Sequence, residues 1–280
     1  MHLTLILLAG TLAGLVRVIG SRAVQANPWA MRWQQTVLAF LLPPLLLLMT
    51  AIAVLCMGTQ GQMLGLPVGW IGYLLALGFL GVAIGWLLRL SWLGWRSLQH
   101  VQTYPVVAVQ GAIGRILDTA QLFAAQVGFW QSQLVISQGL LDRLTTEQLE
   151  AVLTHEQAHV YYRDTFWFFW MGWLRSFTVW LPNTEALWQE LLLLRELRAD
   201  QWAAQTVDPL LLAESLLLTV QDAAAAPDLG AAFSAVAPLG RLEERIEALL
   251  APPEPSPFKG LSSLGLAIAL MPLLTVLFHR

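Results

Sequence analysis

The sequence predicts a mainly helical integral membrane protein with one folded domain outside its membrane-spanning helices. Of its 280 residues, 57% are apolar and 12% are charged, whereas an average soluble domain has roughly 25% charged residues. The mean hydropathy is +0.62. This composition excludes intrinsic disorder, a collagenous repeat and a nucleic-acid-binding tail, so no nucleic-acid partner is expected.

Charge divides the chain into two parts. Residues 1–117 contain six arginines and no acidic residue, and the remainder contains nine basic and 18 acidic residues. Such asymmetry indicates two physical environments. The single cysteine, Cys56, lies within an apolar run, which excludes a disulfide framework and a cysteine zinc site.

Four apolar stretches approach or exceed the length of about 20 residues that a helix needs to cross the hydrocarbon core. They are Leu3–Gly20, Thr36–Met57, Leu64–Leu88 and Leu261–Phe278. We therefore predict a three-helix membrane region over 1–97 and a final membrane helix over 261–280. The side chain of Arg17, near the end of the first stretch, is expected to reach the lipid headgroups. A signal peptide is an alternative for the first stretch, but it lacks a basic N-terminal region.

The arginines also predict an orientation. Arg17, Arg22 and Arg32 flank the first connection, the second connection has no charge, and Arg89 and Arg96 follow the third stretch. Because cytoplasmic loops are enriched in arginine and lysine, the N-terminus is expected outside. The domain that follows the third helix is then expected in the cytoplasm, at the plasma membrane or another energy-transducing inner membrane.

Residues 98–250 are predicted to form the folded domain, and the proline-rich stretch 251–260 is predicted to be a linker. Short runs of strand-forming residues occur before residue 139, at Val106–Val109, Ile116–Asp118, Leu122–Ala125 and Leu134–Ser137. Helices are expected after it, beginning near Thr145 (with Gln148 as a capping box), Asn183, Asp208-Pro209 and Arg241. The sequence thus predicts a small sheet followed by several helices.

The first of these helices contains the run His155-Glu156-Gln157-Ala158-His159. Histidines four residues apart share one helix face, so both imidazoles can bind one metal ion. Glu156 follows the first histidine, where its carboxylate can accept a proton from a water molecule at that metal and later pass a proton to a leaving amine. The alternative is a pair of helix histidines that bind no metal.

Catalytic zinc normally has three protein ligands and one open position. The other histidines, His2, His100 and His279, lie at or near the ends of predicted membrane helices. The third ligand is therefore expected to be a carboxylate, and Glu196 in the run Arg195-Glu196-Leu197-Arg198-Ala199-Asp200 fits this role. Asp200, one turn further, is expected to orient a ligand histidine, His155 by preference. A solvated helix face with arginine–acid pairs is the alternative.

These residues resemble the membrane-integral gluzincin metallopeptidases. The resemblance rests on LVISQGLLDRLTTEQLEAVLTHEQAHVYYRD, from Leu134 to Asp164, and on the later run RELRADQWAA. It implies one zinc ion per chain, with His155, His159 and Glu196 as ligands and Glu156 as general base. Two branches compete, the beta-lactam-sensing transducer proteins and the HtpX-type heat-shock and CAAX prenyl proteases. Three leading apolar stretches are closer to the first branch, but the external penicillin-binding domain of those sensors is absent from this sequence.

The same resemblance suggests further site residues. Many HtpX-type relatives bind substrate backbone with a strand edge that reads Asn-Ala-Phe-Ala, and the matching residues here are Gln121 followed by Leu122, Phe123 and Ala124. A strand edge binds an extended peptide through main-chain hydrogen bonds. Arg245 stands where the family tends to keep an arginine. It either stabilises an oxyanion or forms a salt bridge with nearby acids.

The apolar segment 166–181 is predicted to dip into the membrane or to lie along its interface; a core helix buried under the zinc domain is the alternative. As a helix its 16 residues extend only about 24 Å, less than the roughly 30 Å hydrocarbon core. A single crossing there would place His155 and Glu196 on opposite sides of the bilayer. The sequence therefore favours a zinc metalloendopeptidase that cleaves membrane-associated proteins; the alternatives are an inactive signalling scaffold and a small transporter. Neither the substrate nor the oligomeric state follows from the sequence.

Overall fold

The computed structural model describes the chain except for residues 25–28, 61, 64–65, 68, 226–240, 252–262 and 279–280. Its contacts form two compact units. Unit 1 comprises Met1–Leu90, Met171–Leu191 and Pro255–Arg280, and unit 2 comprises Ser91–Trp170 and Leu192–Glu254. A middle segment thus belongs to unit 1, which a sequential division at residue 97 does not anticipate. Most of the predicted linker 251–260 lies outside the described residues.

The predicted fold class is confirmed: the chain is mostly helical, with long apolar helices and a small four-stranded sheet. The first three long helices are α1 (His2–Val24), α2 (Trp29–Met57) and α3 (Trp70–Gln102). Each contains a stretch long and apolar enough to cross a membrane. The candidate stretch of α2 is mostly buried, whereas those of α1 and α3 are mostly exposed, as expected where helices face lipid.

The last predicted membrane helix is described only in part. Helix α10 (Ser263–Leu274) continues into a 3-10 turn (Thr275–Phe278). Leu273 and Val276 pack against Val54 and neighbouring residues of α2, so this segment joins the helices of unit 1. A fourth span stays a prediction.

The third membrane helix begins later than the hydropathy predicted. Residues Gln62–Met63 (β1) and Leu66–Pro67 (β2) pair as antiparallel strands, and α3 starts at Trp70. The expectation of a helix from Leu64 was therefore wrong. Hydropathy alone does not detect the β-pairing, and Pro67 within this stretch would remove a helical hydrogen bond.

Arg17 was predicted to extend to the surface, but it does not. Its side chain is fully buried in unit 1, and its guanidinium faces the Phe40 ring at 4.8 Å from the centroid. None of its nitrogens has a hydrogen-bond partner in the described part of the chain. The headgroup contact expected for Arg17 is not made, because packing between α1 and α2 encloses it.

The C-terminal half of helix α6 (Asp164–Thr178) and the following turn pack among the apolar helices of unit 1. Leu174 and Phe177 contact Leu48 and Ala83, and Trp173 Nε1 donates a hydrogen bond to the Ala83 carbonyl. Apolar helices of the same unit therefore cover the C-terminal part of the predicted segment 166–181. Its membrane placement stays a prediction.

The sheet of unit 2 has the strand order β3-β4-β6-β5. Its strands are β3 (Val106–Val109), β4 (Ala112–Leu117), β5 (Ala124–Val127) and β6 (Gln133–Ser137). Strands β4 and β6 are parallel, and the other two pairs are antiparallel. Strand β5 is therefore an edge strand.

Six helices complete unit 2 or extend from it. They are α4 (Gln138–Arg143), α5 (Thr146–Tyr161), α6, α7 (Thr184–Ala203), α8 (Pro209–Ala225) and α9 (Leu242–Leu250). The predicted capping box of Thr145 and Gln148 is present at the start of α5, and Asp208 caps α8 through the Leu210 N–H. Leucines of α5 pack on the sheet in one core cluster, with Leu149 and Leu153 beside Leu122 and Ile136. This packing fixes α5 against the sheet.

Candidate metal centre

Helix α5 places the two motif histidines side by side. His155 and His159 are one turn apart, and their Nε2 atoms are separated by 3.2 Å. Both rings are largely buried. Because the capping box fixes the start of α5 and its leucines fix the face on the sheet, the histidines are held on a neighbouring face of the helix.

Helix α7 brings the predicted third ligand to them. Glu196 Oε2 lies 3.3 Å from His155 Nε2, and Oε1 lies 3.9 Å from His159 Nε2. The leucines of this helix, among them Leu193, Leu194 and Leu197, are almost completely buried. The helix is enclosed on all sides at this level, and the distances to His155 and His159 show that Glu196 faces α5.

The donor set fits a zinc ion. One ligand atom each from His155, His159 and Glu196 lie within 4.8 Å of one another. Ligands 2.0–2.1 Å from a tetrahedral zinc ion lie about 3.3 Å apart, close to the separations found here. Two imidazoles and a carboxylate are a ligand set of catalytic zinc.

Glu156 is the second buried carboxylate beside this cluster. Its side chain is 7% exposed, and its Oε2 has no hydrogen-bond partner within the described residues. A buried carboxylate oxygen without a donor is costly unless another group or molecule satisfies it. A water molecule at a bound metal ion would satisfy it.

Behind His155 stands a carboxylate that is itself paired with an arginine. His155 Nδ1 lies 2.8 Å from Asp200 Oδ1, and Arg245 of α9 donates two hydrogen bonds of 2.8 Å to Asp200. Burial alone would lower the pKa of His155, but Asp200 and Glu196 outweigh it and raise that pKa to about 10 in the metal-free protein. The nearby carboxylates of Asp200 and Glu196 thus favour the protonated form of His155 in the metal-free protein.

His159 has an equivalent arrangement, although no contact between Asp164 and this histidine was predicted. His159 Nδ1 lies 2.8 Å from Asp164 Oδ2, and Arg198 pairs with the other oxygen of Asp164. The Arg198 guanidinium also lies over the Tyr162 ring, 4.0 Å from its centroid. The position of Asp164, five residues after His159, was the available signal.

Glu196 is held by two arginines. Arg195 donates to Oε1 at 2.7 and 2.9 Å, and Arg245 Nη1 lies 3.5 Å from Oε2. Burial opposes ionisation of Glu196, but Arg195 and Arg245 hold its pKa well below the usual range. Burial also opposes ionisation of Asp200, but Arg245 and His155 lower its pKa. Both carboxylates are therefore charged at neutral pH.

Arg245 was predicted either to stabilise an oxyanion or to form a salt bridge. Its Nε and one terminal nitrogen are engaged by Asp200, and its side chain is buried. The geometry favours the salt bridge, because a guanidinium used in this way has few donors left for a substrate.

The predicted substrate residues occupy different positions relative to β5. Leu122 is buried in the core. Phe123 is paired with Ser137: its N–H donates to Ser137 Oγ, and its carbonyl accepts from the Ser137 N–H. Phe123 therefore cannot offer these main-chain groups to a peptide. Ala124 is the first residue of β5 itself.

The register identifies which residues of β5 face its open side. In an antiparallel pair, alternate residues direct both main-chain groups toward the partner strand. Because Phe123 pairs with Ser137 in this way, Ala125 and Val127 also face β6, whereas Ala124 and Gln126 face away. Gln126 was missed because its orientation depends on the strand register.

A comparison with protein families agrees with this site. The family model described as Peptidase family M48 matches residues 114–196. The matched segment runs from β4 through α5 to Glu196 and therefore includes all three candidate ligands. It supports a zincin-type metallopeptidase, of a kind that is typically zinc-dependent. No curated protein and no solved structure matches the chain.

Proposed function

We propose that this chain is a zinc-dependent metalloendopeptidase that hydrolyses peptide bonds of membrane or membrane-proximal proteins. The observation that supports this most is the convergence of His155, His159 and Glu196 with the buried carboxylate of Glu156, whose Oε2 has no hydrogen-bond partner among the described residues. Three protein ligands would hold a catalytic zinc ion, whereas structural zinc sites are usually closed by four protein ligands. One zinc ion per chain is expected.

The chemistry divides between the metal and the protein. A zinc ion bound by the three ligands supplies Lewis acidity toward a water molecule and a peptide carbonyl. Glu156 Oε2 takes the proton of the attacking water and delivers a proton to the leaving amine. Asp200 and Asp164 fix the ring orientation of the two histidines through their Nδ1 atoms. Arg245 holds Asp200 in place, in preference to the oxyanion role.

The substrate is expected to bind as an added strand on the open side of β5. Leu122 packs beside Leu153, before the motif on α5, and Phe129 beyond β5 contacts Phe166, after the motif. The residues between them on β5 therefore run alongside the stretch of α5 that holds the metal ligands. Ala124 and Gln126 would supply the main-chain hydrogen bonds.

Membrane association of the substrate follows from the apolar helices that the same chain provides. The arginine distribution supports a cytoplasmic location of the metal centre. Of the two related families considered from the sequence, the three leading apolar helices favour the beta-lactam-sensor transducer type. An HtpX-like processing or quality-control protease is the other candidate.

Substitution Glu156→Gln tests the proposal. The full chain in detergent is assayed for bound zinc by mass spectrometry and for cleavage of β-casein. The variant should retain zinc, because Glu156 contacts water rather than metal, and should lose nearly all cleavage. Glu150→Gln, at an exposed position on the same helix, is the matched control and should behave as the parent. Equal cleavage by the parent and Glu156→Gln, or no cleavage by the zinc-loaded parent, would contradict the proposed function.

A further inference from the structure

An acidic side chain occupies the open side of the substrate edge just before β5. By the alternation that makes Ala124 and Gln126 face outward, Leu122 also directs its main-chain N–H away from β6. That N–H donates to Asp222 Oδ2 at 2.6 Å. A peptide strand lying along this edge cannot use the same N–H.

Asp222 is held in this position by a second interaction. It lies on α8, and its Oδ1 accepts from Arg143 at 2.6 Å. Arg143 ends α4, two residues before the cap of α5. The Leu122 N–H and the Arg143 side chain lower the pKa of Asp222, so the carboxylate is charged at neutral pH. The contact therefore joins α8, α4 and the substrate edge.

The other end of β5 is also closed. After Val127 the chain turns at Gly128, which has a positive φ of 144°, and no longer continues the edge. Phe129 and Trp130 then stack against Phe166 of α6, with ring centroids 5.1 and 5.0 Å apart. Between the turn and Asp222, only Ala124 and Gln126 present outward main-chain groups.

We propose that Asp222, held by Arg143, is a specificity-determining residue that ends the substrate strand at Leu122. The inference rests on the proposed peptidase function and adds to it the length of the peptide segment that pairs with the enzyme. A substrate strand can therefore pair with the edge of β5 only up to the point where it meets the Asp222 carboxylate. An acidic residue of the substrate at this point is disfavoured by like charge, although Arg143 reduces the repulsion.

Peptide length is the quantity to measure. β-casein fragments produced by the parent are mapped by mass spectrometry, and fluorogenic peptides are built around the most frequent cleavage site, each extended by one residue at either end. For the parent, KM should fall as the peptide is extended at one end and should stay constant once the peptide exceeds a fixed length at that end. Asp222→Ala frees the Leu122 N–H, so KM should fall by about a further three- to tenfold when the peptide is extended at that end, the effect of one added hydrogen bond.

Two control variants distinguish this change in the length dependence of KM from a general loss of structure. Glu214→Ala removes an exposed acid from the same helix and should keep the length profile of the parent. Asp222→Asn retains an oxygen that accepts from the Leu122 N–H and should also keep that profile. If Asp222→Ala folds poorly, Asp222→Asn and the parent are compared with Arg143→Met, which frees Asp222 and should relax the length limit.

The outcomes distinguish this inference from the function on which it rests. Failure of the zinc-loaded parent to cleave β-casein overturns the peptidase function and the inference with it. Cleavage with identical length profiles for the parent, Asp222→Ala and Arg143→Met overturns the role of Asp222 alone. Hydrogen exchange of the Leu122 amide gives a reading that needs no activity: it should be slow in the parent and faster in Asp222→Ala. Equal exchange also overturns the inference.

Discussion

Arg17 of unit 1 and the charged side chains around the candidate metal centre of unit 2 are buried in opposite ways. Around the candidate metal centre, Asp164 pairs with Arg198, and Asp200 pairs with Arg245. In unit 1, the buried guanidinium of Arg17 faces an aromatic ring and has no hydrogen-bond partner within the described residues. A buried charge is costly unless it is paired and hydrogen-bonded, so the two regions differ in how the cost of burial is offset.

The paired charges of unit 2 have a consequence for chemistry. Each aspartate lies behind one candidate ligand histidine and is itself held by an arginine. Such outer partners fix the tautomer and orientation of ligand histidines. The buried charges of unit 2 thus define a site, whereas Arg17 shapes only the packing of α1 on α2.

The largest expected effect is on zinc binding. It is tested by comparing two acids of helix α7, Glu196 and Glu190. Both are buried, but Glu190 pairs with Arg32 in unit 1 and Glu196 faces the histidines. Glu196→Ala should lose most bound zinc, since a first ligand is removed. Glu190→Ala should keep one zinc ion per chain but lower Tm, because the buried ion pair with Arg32 is lost. Zinc content and thermal unfolding in detergent measure both effects; a Glu196→Ala chain that binds zinc as tightly as the parent would show that the third ligand is assigned wrongly.

Part of this site could be predicted from the sequence because its signals are local. The spacing of His155 and His159 fixes their common face, and Thr145 with Gln148 fixes where the helix begins. Strand β3 has the predicted bounds Val106–Val109. These features depend on neighbours within a few residues, so a sequence without relatives is sufficient to find them.

Other parts depend on contacts between residues that are far apart in the sequence, which a sequence pattern does not reveal. Leu122 and Asp222 are 100 residues apart, and Asp164 and Arg198 are 34 residues apart. Only the packing of α7 and α8 against earlier elements brings them together. The late start of α3 has a different origin, because the local pairing of β1 with β2 replaces helix in a stretch whose hydropathy alone predicts a membrane helix.

The two carboxylates behind the histidines give an intermediate effect and test whether the two sides of the site are equivalent. Asp200→Ala and Asp164→Ala should each weaken zinc binding by roughly 10–100-fold, as removal of an outer partner does. Competition with a chelator measures the zinc affinity of each variant. Asp142→Ala, at an exposed position, is the control and should bind zinc as the parent does. An unchanged affinity in Asp164→Ala would mean that His159 is oriented by helix packing alone.

The smallest expected effect is the change in Tm on substitution of Arg17, the buried charge that differs most from the paired charges of unit 2. Methionine fills a similar space beside Phe40 without a charge, so Arg17→Met removes an unpaired buried guanidinium while keeping the packing of α1 on α2. Because an isolated charge in this environment is destabilising, Tm in nanodiscs should stay the same or rise by a few degrees. Arg32→Met is the matched variant: it removes the ion pair between Arg32 and the buried Glu190 and should lower Tm. A clear decrease of Tm in Arg17→Met would show that the guanidinium is satisfied by a lipid or water molecule, and that both units then pair their buried charges.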